Sequence, residues 1–149
     1  MSEFVRNYTE VKEKVFHTNK ATLKLTTRIY PKEKSSPDVN VMLTIGNKVG
    51  KKTDWENAIN FKIGFNDYLR FQELLNEKEI DLRHKVDGRE TYTILNVVQS
   101  KQNEELWFLN VAKYNTADKS LVTKVSFPLD KQKIRTIILH LDASFNVIG

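Results

Sequence analysis

From Ala21 to Tyr30 hydrophobic and polar residues alternate. Leu23, Leu25 and Ile29 share one parity, and Lys24, Thr26, Arg28 and Tyr30 share the other. A period of two predicts a strand with one buried face and a basic, aromatic-tipped outer face. The pattern recurs on either side. Val39, Val41, Leu43 and Ile45 mark the inward face of a third strand, and Ile59, Phe61 and Ile63 that of a fourth, with Asn60 and Lys62 outward. Val11 to His17 reads as the first strand, although Phe4, Tyr8, Val11 and Val15 also suit an amphipathic helix. The period then changes. A helix is predicted from Asn66, a polar N-cap, to about Glu77, with Leu69, Leu74 and Leu75 as core candidates.

The second half follows the same order. Ile80 to Val86 is a strand, and Asp87-Gly88 is the strongest hairpin signal in the chain. Thr91 to Ser100, Leu106 to Tyr114 and Leu121 to Phe127 complete four strands. Pro128-Leu129-Asp130 opens a second helix, whose Ile134, Ile137, Ile138 and Leu141 fall at helical spacing. The two N-caps, Asn66 and Asp130, lie about 64 residues apart. Internal repetition on that pitch predicts an α+β fold. Its form is a tandem ββββα repeat making two antiparallel sheets with two packed helices. No linker or low-complexity tract separates the halves, so residues 1–149 are expected to form a single domain of two repeats, about 11–77 and 80–143.

Composition narrows the function. With 40% hydrophobic and 29% charged residues the chain suits a soluble globular protein. It has no cysteine, which removes disulfides, thiolate metal sites and a catalytic thiol. The first residues carry scattered charges and no apolar run, so neither a secretory signal nor a membrane anchor is expected, and a cytoplasmic setting follows. Abundant lysine, asparagine and isoleucine suit an AT-rich bacterial or phage genome. The net charge of +5 leans toward polyanionic partners. Up to Glu77 there are 13 basic and 10 acidic residues, against 11 and 9 beyond it, as expected if both repeats contribute to one surface.

The candidate interface follows from what a single strand of nucleic acid requires: cations for phosphates and flat rings for bases. Lys24, Arg28 and Tyr30 recur at alternate positions, about 7 Å apart along a strand. The loop before the fourth strand adds Lys48, Lys51, Lys52 and Trp55, and Lys62 lies on that strand. The hairpin of the second repeat offers Arg83, Lys85, Arg89 and Tyr92. Trp107 reads as core or oligomer interface.

Catalytic chemistry finds no support. Residues 46–53, GNKVGKKT, are similar to a phosphate-binding loop, but have three residues between the glycines and precede a strand. A lysine-rich hairpin is the better reading. His17, His84 and His140 form no ligand-spaced cluster, and Asp54, Glu56, Glu104 and Glu105 lack a partner histidine or third carboxylate. No catalytic residue, metal site or cofactor is expected, and the protein reads as a non-enzyme.

Two copies of four antiparallel strands and a helix resemble the Whirly proteins, and also the positive-cofactor-four-type coactivators, whose single copy dimerises to the same shape. The resemblance rests on element order over nearly the whole chain. It implies single-stranded DNA running across exposed sheet faces, held by basic and aromatic side chains. The expected function is non-sequence-specific binding and protection of single-stranded DNA in replication, recombination or repair. Alternatives are RNA binding or annealing on the same scaffold, and a non-catalytic protein-interaction module. Both faces of Leu106 to Tyr114 are partly apolar, so a homodimer or homotetramer is expected.

Overall fold

A computed structural model describes residues 8–31, 38–74, 76–77, 79–84 and 88–146. Strands β1 (Thr9–His17), β2 (Ala21–Tyr30), β3 (Asp38–Val49), β4 (Lys52–Thr53) and β5 (Ile59–Ile63) precede helix α1 (Phe65–Gln72). Strands β6 (Glu79–His84), β7 (Thr91–Gln99), β8 (Leu106–Asn115) and β9 (Leu121–Asp130) precede helix α2 (Lys131–Asn146). Every pairing is antiparallel. Sheet one runs β1-β2-β3-β5, with the short β4 paired to the far end of β3; sheet two runs β6-β7-β8-β9. The α+β fold of two antiparallel sheets and two helices is as the pattern predicts.

One continuous apolar core lies between the sheets and under the helices. Leu23 and Leu25 of β2, Val41, Leu43 and Ile45 of β3, and Ile59, Phe61 and Ile63 of β5 enter it from sheet one. Leu95, Val97, Leu109, Val111, Val125 and Phe127 enter it from sheet two, and α2 closes it with Ile134, Ile137 and Leu141. Along β5 buried and exposed positions alternate strictly, as a pleated sheet with one dry face demands. Trp107 belongs to this core, only 2% exposed.

Several boundaries differ from expectation: β1 starts at Thr9 rather than Val11, and helix α1 ends at Gln72 rather than near Glu77. Helix α1 is capped by Gly64 rather than Asn66, because the Asp67 carboxylate accepts the Gly64 N–H at 3.1 Å. The buried row is then Tyr68, Phe71 and Leu74, and Leu69 points outward at 43% exposure. Leu75 lies outside the described residues. Strand β9 runs three residues beyond Phe127, so Pro128 is a strand residue paired with Phe108 and not a helix opener. As the last strand of its sheet β9 tolerates a residue without an N–H. Asp130 does cap α2, its Oδ1 accepting the Lys133 N–H at 2.8 Å. Strand β3 continues to Val49 and turns through Gly50 (φ 66°) into β4, which makes residues 46–53 a hairpin.

The two helices are tied to each other and to the sheets by polar groups. The Tyr68 hydroxyl donates to Asp142 at 2.5 Å, and its ring stacks on Phe145 at 4.8 Å. That bond to a carboxylate raises the Tyr68 pKa, with burial adding to it. Under sheet one, Thr27 Oγ1 meets His140 Nε2 at 3.1 Å and Ser144 Oγ at 2.6 Å. Burial, then the nearby Lys12 and Lys14, pushes the His140 pKa below its ordinary value.

Candidate nucleic-acid interface

The outer face of sheet one is built from alternate residues of three strands. Strand β2 contributes Lys24, Arg28 and Tyr30, β3 contributes Asn40, Met42 and Thr44, and β5 contributes Asn60 and Lys62. The register sets Arg28 directly opposite Asn40, and Met42 opposite Lys62. These cations do not project freely into solvent; they lie against rings. The Arg28 guanidinium sits 4.3 Å from the centre of the Tyr8 ring, and Lys62 Nζ sits 5.8 Å from that of Tyr30. The two tyrosines meet at 5.3 Å, tilted by 53°. Cation and ring are therefore pre-assembled in pairs, each worth about 0.5–1 kcal/mol at an exposed site.

At the other end of β2 the hairpin performs the same assembly across a longer path. After β4 the chain folds back over the outer face of β3. Thr53 Oγ1 bonds Thr22 Oγ1 of β2 at 2.6 Å, and Asp54 N–H donates to the Asn47 carbonyl at 2.8 Å. This close crossing requires Gly46, where a Cβ would meet the Asp54 carbonyl at 3.2 Å and Thr53 Cγ2 at 3.3 Å. The crossing delivers Trp55, still 46% exposed, to 4.8 Å from Lys24 Nζ. Lys48, half-buried, and Lys51 and Lys52, both exposed, ring the hairpin tip beside it.

Thus Lys24, Arg28, Tyr30, Trp55 and Lys62 share one face, with Lys48, Lys51 and Lys52 at its end. Those expected from the second repeat go elsewhere. Arg83 lies on the outer face of β6 and pairs with Asp81 at 3.4 Å. Tyr92 of β7 stacks on Tyr114 of β8 at 5.4 Å and 19°. Arg89 is exposed beyond the β6–β7 turn, its carbonyl accepting from Thr116 at 3.0 Å. Lys85 lies outside the described residues. The core separates the two outer faces, so the repeats do not build one shared basic surface among the described residues.

Pattern reading missed two residues of sheet one. Tyr8 precedes the first strand and also suits an amphipathic helix. Asn40 has the outward parity of β3, but an asparagine carries no charge or ring to draw attention. It is 5% exposed, and its Oδ1 is buried with no partner among the described residues; the Nε of Arg28 opposite is in the same condition.

The remaining titratable clusters are structural in character. His84 Nε2 meets Asp67 Oδ2 at 2.9 Å, and its ring stacks on Phe61 at 3.9 Å. His17 Nδ1 meets Thr22 Oγ1 at 3.3 Å. No group of three or more His, Asp or Glu side chains is placed to hold a metal among the described residues. No described helix is long and apolar enough to cross a membrane.

No protein-family model and no curated protein matches the chain. Solved structures do. The crystal structure of WHY3 from Arabidopsis thaliana superposes with a TM-score of 0.78 at 16% identity, over 93% of this chain and 88% of that one. The chain has the Whirly fold. WHY1 from the same plant gives 0.72 at 15% identity over 98% and 88%. The plant transcriptional regulator PBF-2 gives 0.74 at 16% identity over 89% and 87%. Against this Whirly-like frame, the cation–ring pairs described above are features of this chain's own side chains.

Proposed function

We propose that this protein binds single-stranded DNA without sequence specificity along the outer face of sheet one. The observation that carries the reading is the row of cation–ring pairs: Trp55 with Lys24, Tyr8 with Arg28, and Tyr30 with Lys62. A base can stack on a ring while the adjacent cation meets its phosphate, which is the chemistry of sequence-tolerant single-strand binding. The fold-level resemblance to Whirly proteins points the same way. In this reading the protein is a passive holder in replication, recombination or repair, with no catalytic step. It keeps the strand extended and unpaired in the cytoplasm of its host.

Self-association into a dimer or tetramer belongs to the same reading. Phe65, Leu69 and Leu139 on the helices and Phe108 on sheet two are exposed apolar side chains that it would cover. Light scattering on the eluting protein tests this directly, and a monomer at micromolar concentration rejects it.

The function is tested by fluorescence anisotropy with labelled oligo-dT, competed by duplex DNA and by oligo-U across a salt series. Tight, salt-sensitive binding that duplex fails to displace is the expected result. Displacement by oligo-U at equal concentration moves the assignment to RNA. Absence of binding at low salt rejects both and leaves a protein partner as the target.

A further inference from the structure

Strand β1 forms one edge of sheet one, and its charges are sorted by face. Along the chain they read Glu10, Lys12, Glu13 and Lys14, all exposed. Cross-strand partners share a face, so the register with β2 assigns each of them. Lys12 lies opposite Thr27 and Lys14 opposite Leu25, both inward positions, on the side where His140 feels their charge. Glu13 lies opposite Thr26 and Glu10 opposite Arg28, both outward positions. In a regular strand, side chains three residues apart point to opposite faces. Here a one-residue bulge at Val11 intervenes; without it Val11 would stand opposite Arg28 and Glu10 would turn inward. The bulge therefore puts both carboxylates on the face that carries the cation–ring pairs. Apart from Asp38, which lines a pocket of about 310 Å³ beside Gly64, they are the outward carboxylates of sheet one's strands among the described residues.

Register also fixes where they stand. Glu13, Thr26, Met42 and Lys62 form one row across β1, β2, β3 and β5. Its ends are three strand spacings apart, about 14 Å at ~4.8 Å each. Glu10 begins the next row, followed by Arg28 and Asn40. The outer face thus passes from an acidic edge on β1 to cations on β2 and β5. A single strand can adapt to that order, because its backbone bends, follows Lys24, Arg28 and Lys62, and keeps its phosphates off β1. A duplex cannot. One backbone held at Lys62 fixes the other about 12 Å away across the major groove, near Glu13 at the far end of the row. Like charges set face to face across an interface suppress the wrong partner. We infer that the bulged edge of β1 is a selectivity element: Glu10 and Glu13 repel the second backbone of duplex DNA and leave a single strand on the cation–ring pairs. The inference rests on the single-strand reading and names the residues that narrow the face to one strand.

The experiment measures oligo-dT and a duplex of equal length in one salt series, with the wild-type protein and the flank variant Glu10→Gln/Glu13→Gln. Glu73→Gln/Glu77→Gln, beyond α1, is the control for net charge. All four glutamates are exposed, so both variants should fold. The flank variant is expected to tighten duplex binding by about fivefold at low salt, the scale of two removed contacts between exposed charges, and oligo-dT binding by less than about twofold. The gain fades at high salt as the charges are screened. Glu13→Gln alone leaves the Arg28–Glu10 pair at 3.8 Å in place and should still tighten the duplex by about twofold. The control should shift both ligands by one factor and leave their ratio unchanged. Equal tightening of duplex and oligo-dT in the flank variant overturns the selectivity element and spares the single-strand reading. So does a flank variant whose ratio matches that of the control. Wild-type protein that holds duplex as tightly as oligo-dT, or binds neither, overturns the single-strand reading itself and the selectivity element with it.

Discussion

On sheet one the positions that face away from the core carry Lys24, Arg28, Tyr30, Asn40 and Lys62; on sheet two the positions of the same parity carry Ile94, Asn96, Val98, Phe108 and Pro128. Each sheet has a row of cross-strand partners, but the rows are satisfied differently. On sheet two Asn110 donates to Asn96 at 2.9 Å and Ser126 donates to Asn110 at 2.5 Å, so the amide row closes on itself. On sheet one Thr44 donates to Asn60 at 2.7 Å in the same way, but Asn40 is left open among the described residues, and the cations lie on rings rather than in ion pairs with short contacts. The Arg28–Glu10 pair reaches only 3.8 Å. A surface that has already met its own hydrogen-bonding needs has little to offer a polar ligand. The same fold unit used twice thus yields one face of cation–ring pairs and one with an internally paired amide row.

The two sheets should differ most at their rings. Tyr30→Ala or Trp55→Ala is expected to weaken oligo-dT binding by about 5- to 150-fold, the ~1–3 kcal/mol of a lost base stack. Tyr92→Ala on sheet two should leave the affinity within about threefold, too little for a lost stack. Anisotropy titrations decide, and equal losses on the two sheets would refute the asymmetry. A spectroscopic counterpart uses the two tryptophans. DNA should quench exposed Trp55 and not buried Trp107, so Trp55→Phe abolishes the quenching.

Next in size is the salt response. Replacing Lys48, Lys51 and Lys52 together by alanine should flatten the slope of log affinity against log salt by about 2, at roughly 0.7 per phosphate contact on a single strand. Replacing Arg83 should not change it, because Asp81 already neutralises that side chain locally.

The contrast continues beneath the sheets. Under sheet one lies the Thr27–His140–Ser144 cluster, whereas β7, β8 and β9 direct apolar side chains inward. Because the His140 pKa is lowered on folding, the unfolded chain binds its proton more readily. This contribution to stability is complete above the ordinary histidine range and is lost as pH falls through it. His140→Gln keeps a hydrogen-bonding group, so the drop in melting temperature between pH 7.5 and pH 5.5 should be smaller in the variant. An unchanged drop would assign the acid response to other groups. The smallest effect is expected at the end of β9, where Asp130→Ala removes the α2 cap. A loss of about 1 kcal/mol, read from the urea midpoint, is the expected cost, with no change in oligo-dT affinity.

The fold was largely legible because its longest signals were clean. The alternation of Leu23, Leu25 and Ile29 with Lys24, Arg28 and Tyr30 placed β2 with its observed ends, and four isoleucines and leucines at helical spacing placed α2. Helix α1 misled because Leu69, Leu74 and Leu75 drew the eye, although Tyr68, Phe71 and Leu74 form the consistent buried row. Pro128 misled because proline so often opens helices, and only the sheet order shows that its strand is an edge. For the candidate interface, parity sufficed for Lys24, Arg28, Tyr30 and Lys62. Trp55 reaches Lys24 only through the crossing over Gly46, a tertiary event that periodicity does not record. Asn40 and Arg28 are opposite by register, and register between distant strands is set by core packing rather than by either strand alone.

The crossing over Gly46 also sets a capacity. By laying Trp55 and Asp54 across β3, the hairpin closes one end of the outer face of sheet one, while the pocket at Gly64 marks the other. Between them β2 offers the stretch from Lys24 to Tyr30, about 20 Å at the rise of an extended strand. On the proposed reading, that length has room for only a few stretched nucleotides, and a longer strand is shared among several copies of the chain. Saturating a long oligonucleotide should therefore take protein in proportion to its length, with a footprint that lengthening the hairpin would leave unchanged and removing it would extend.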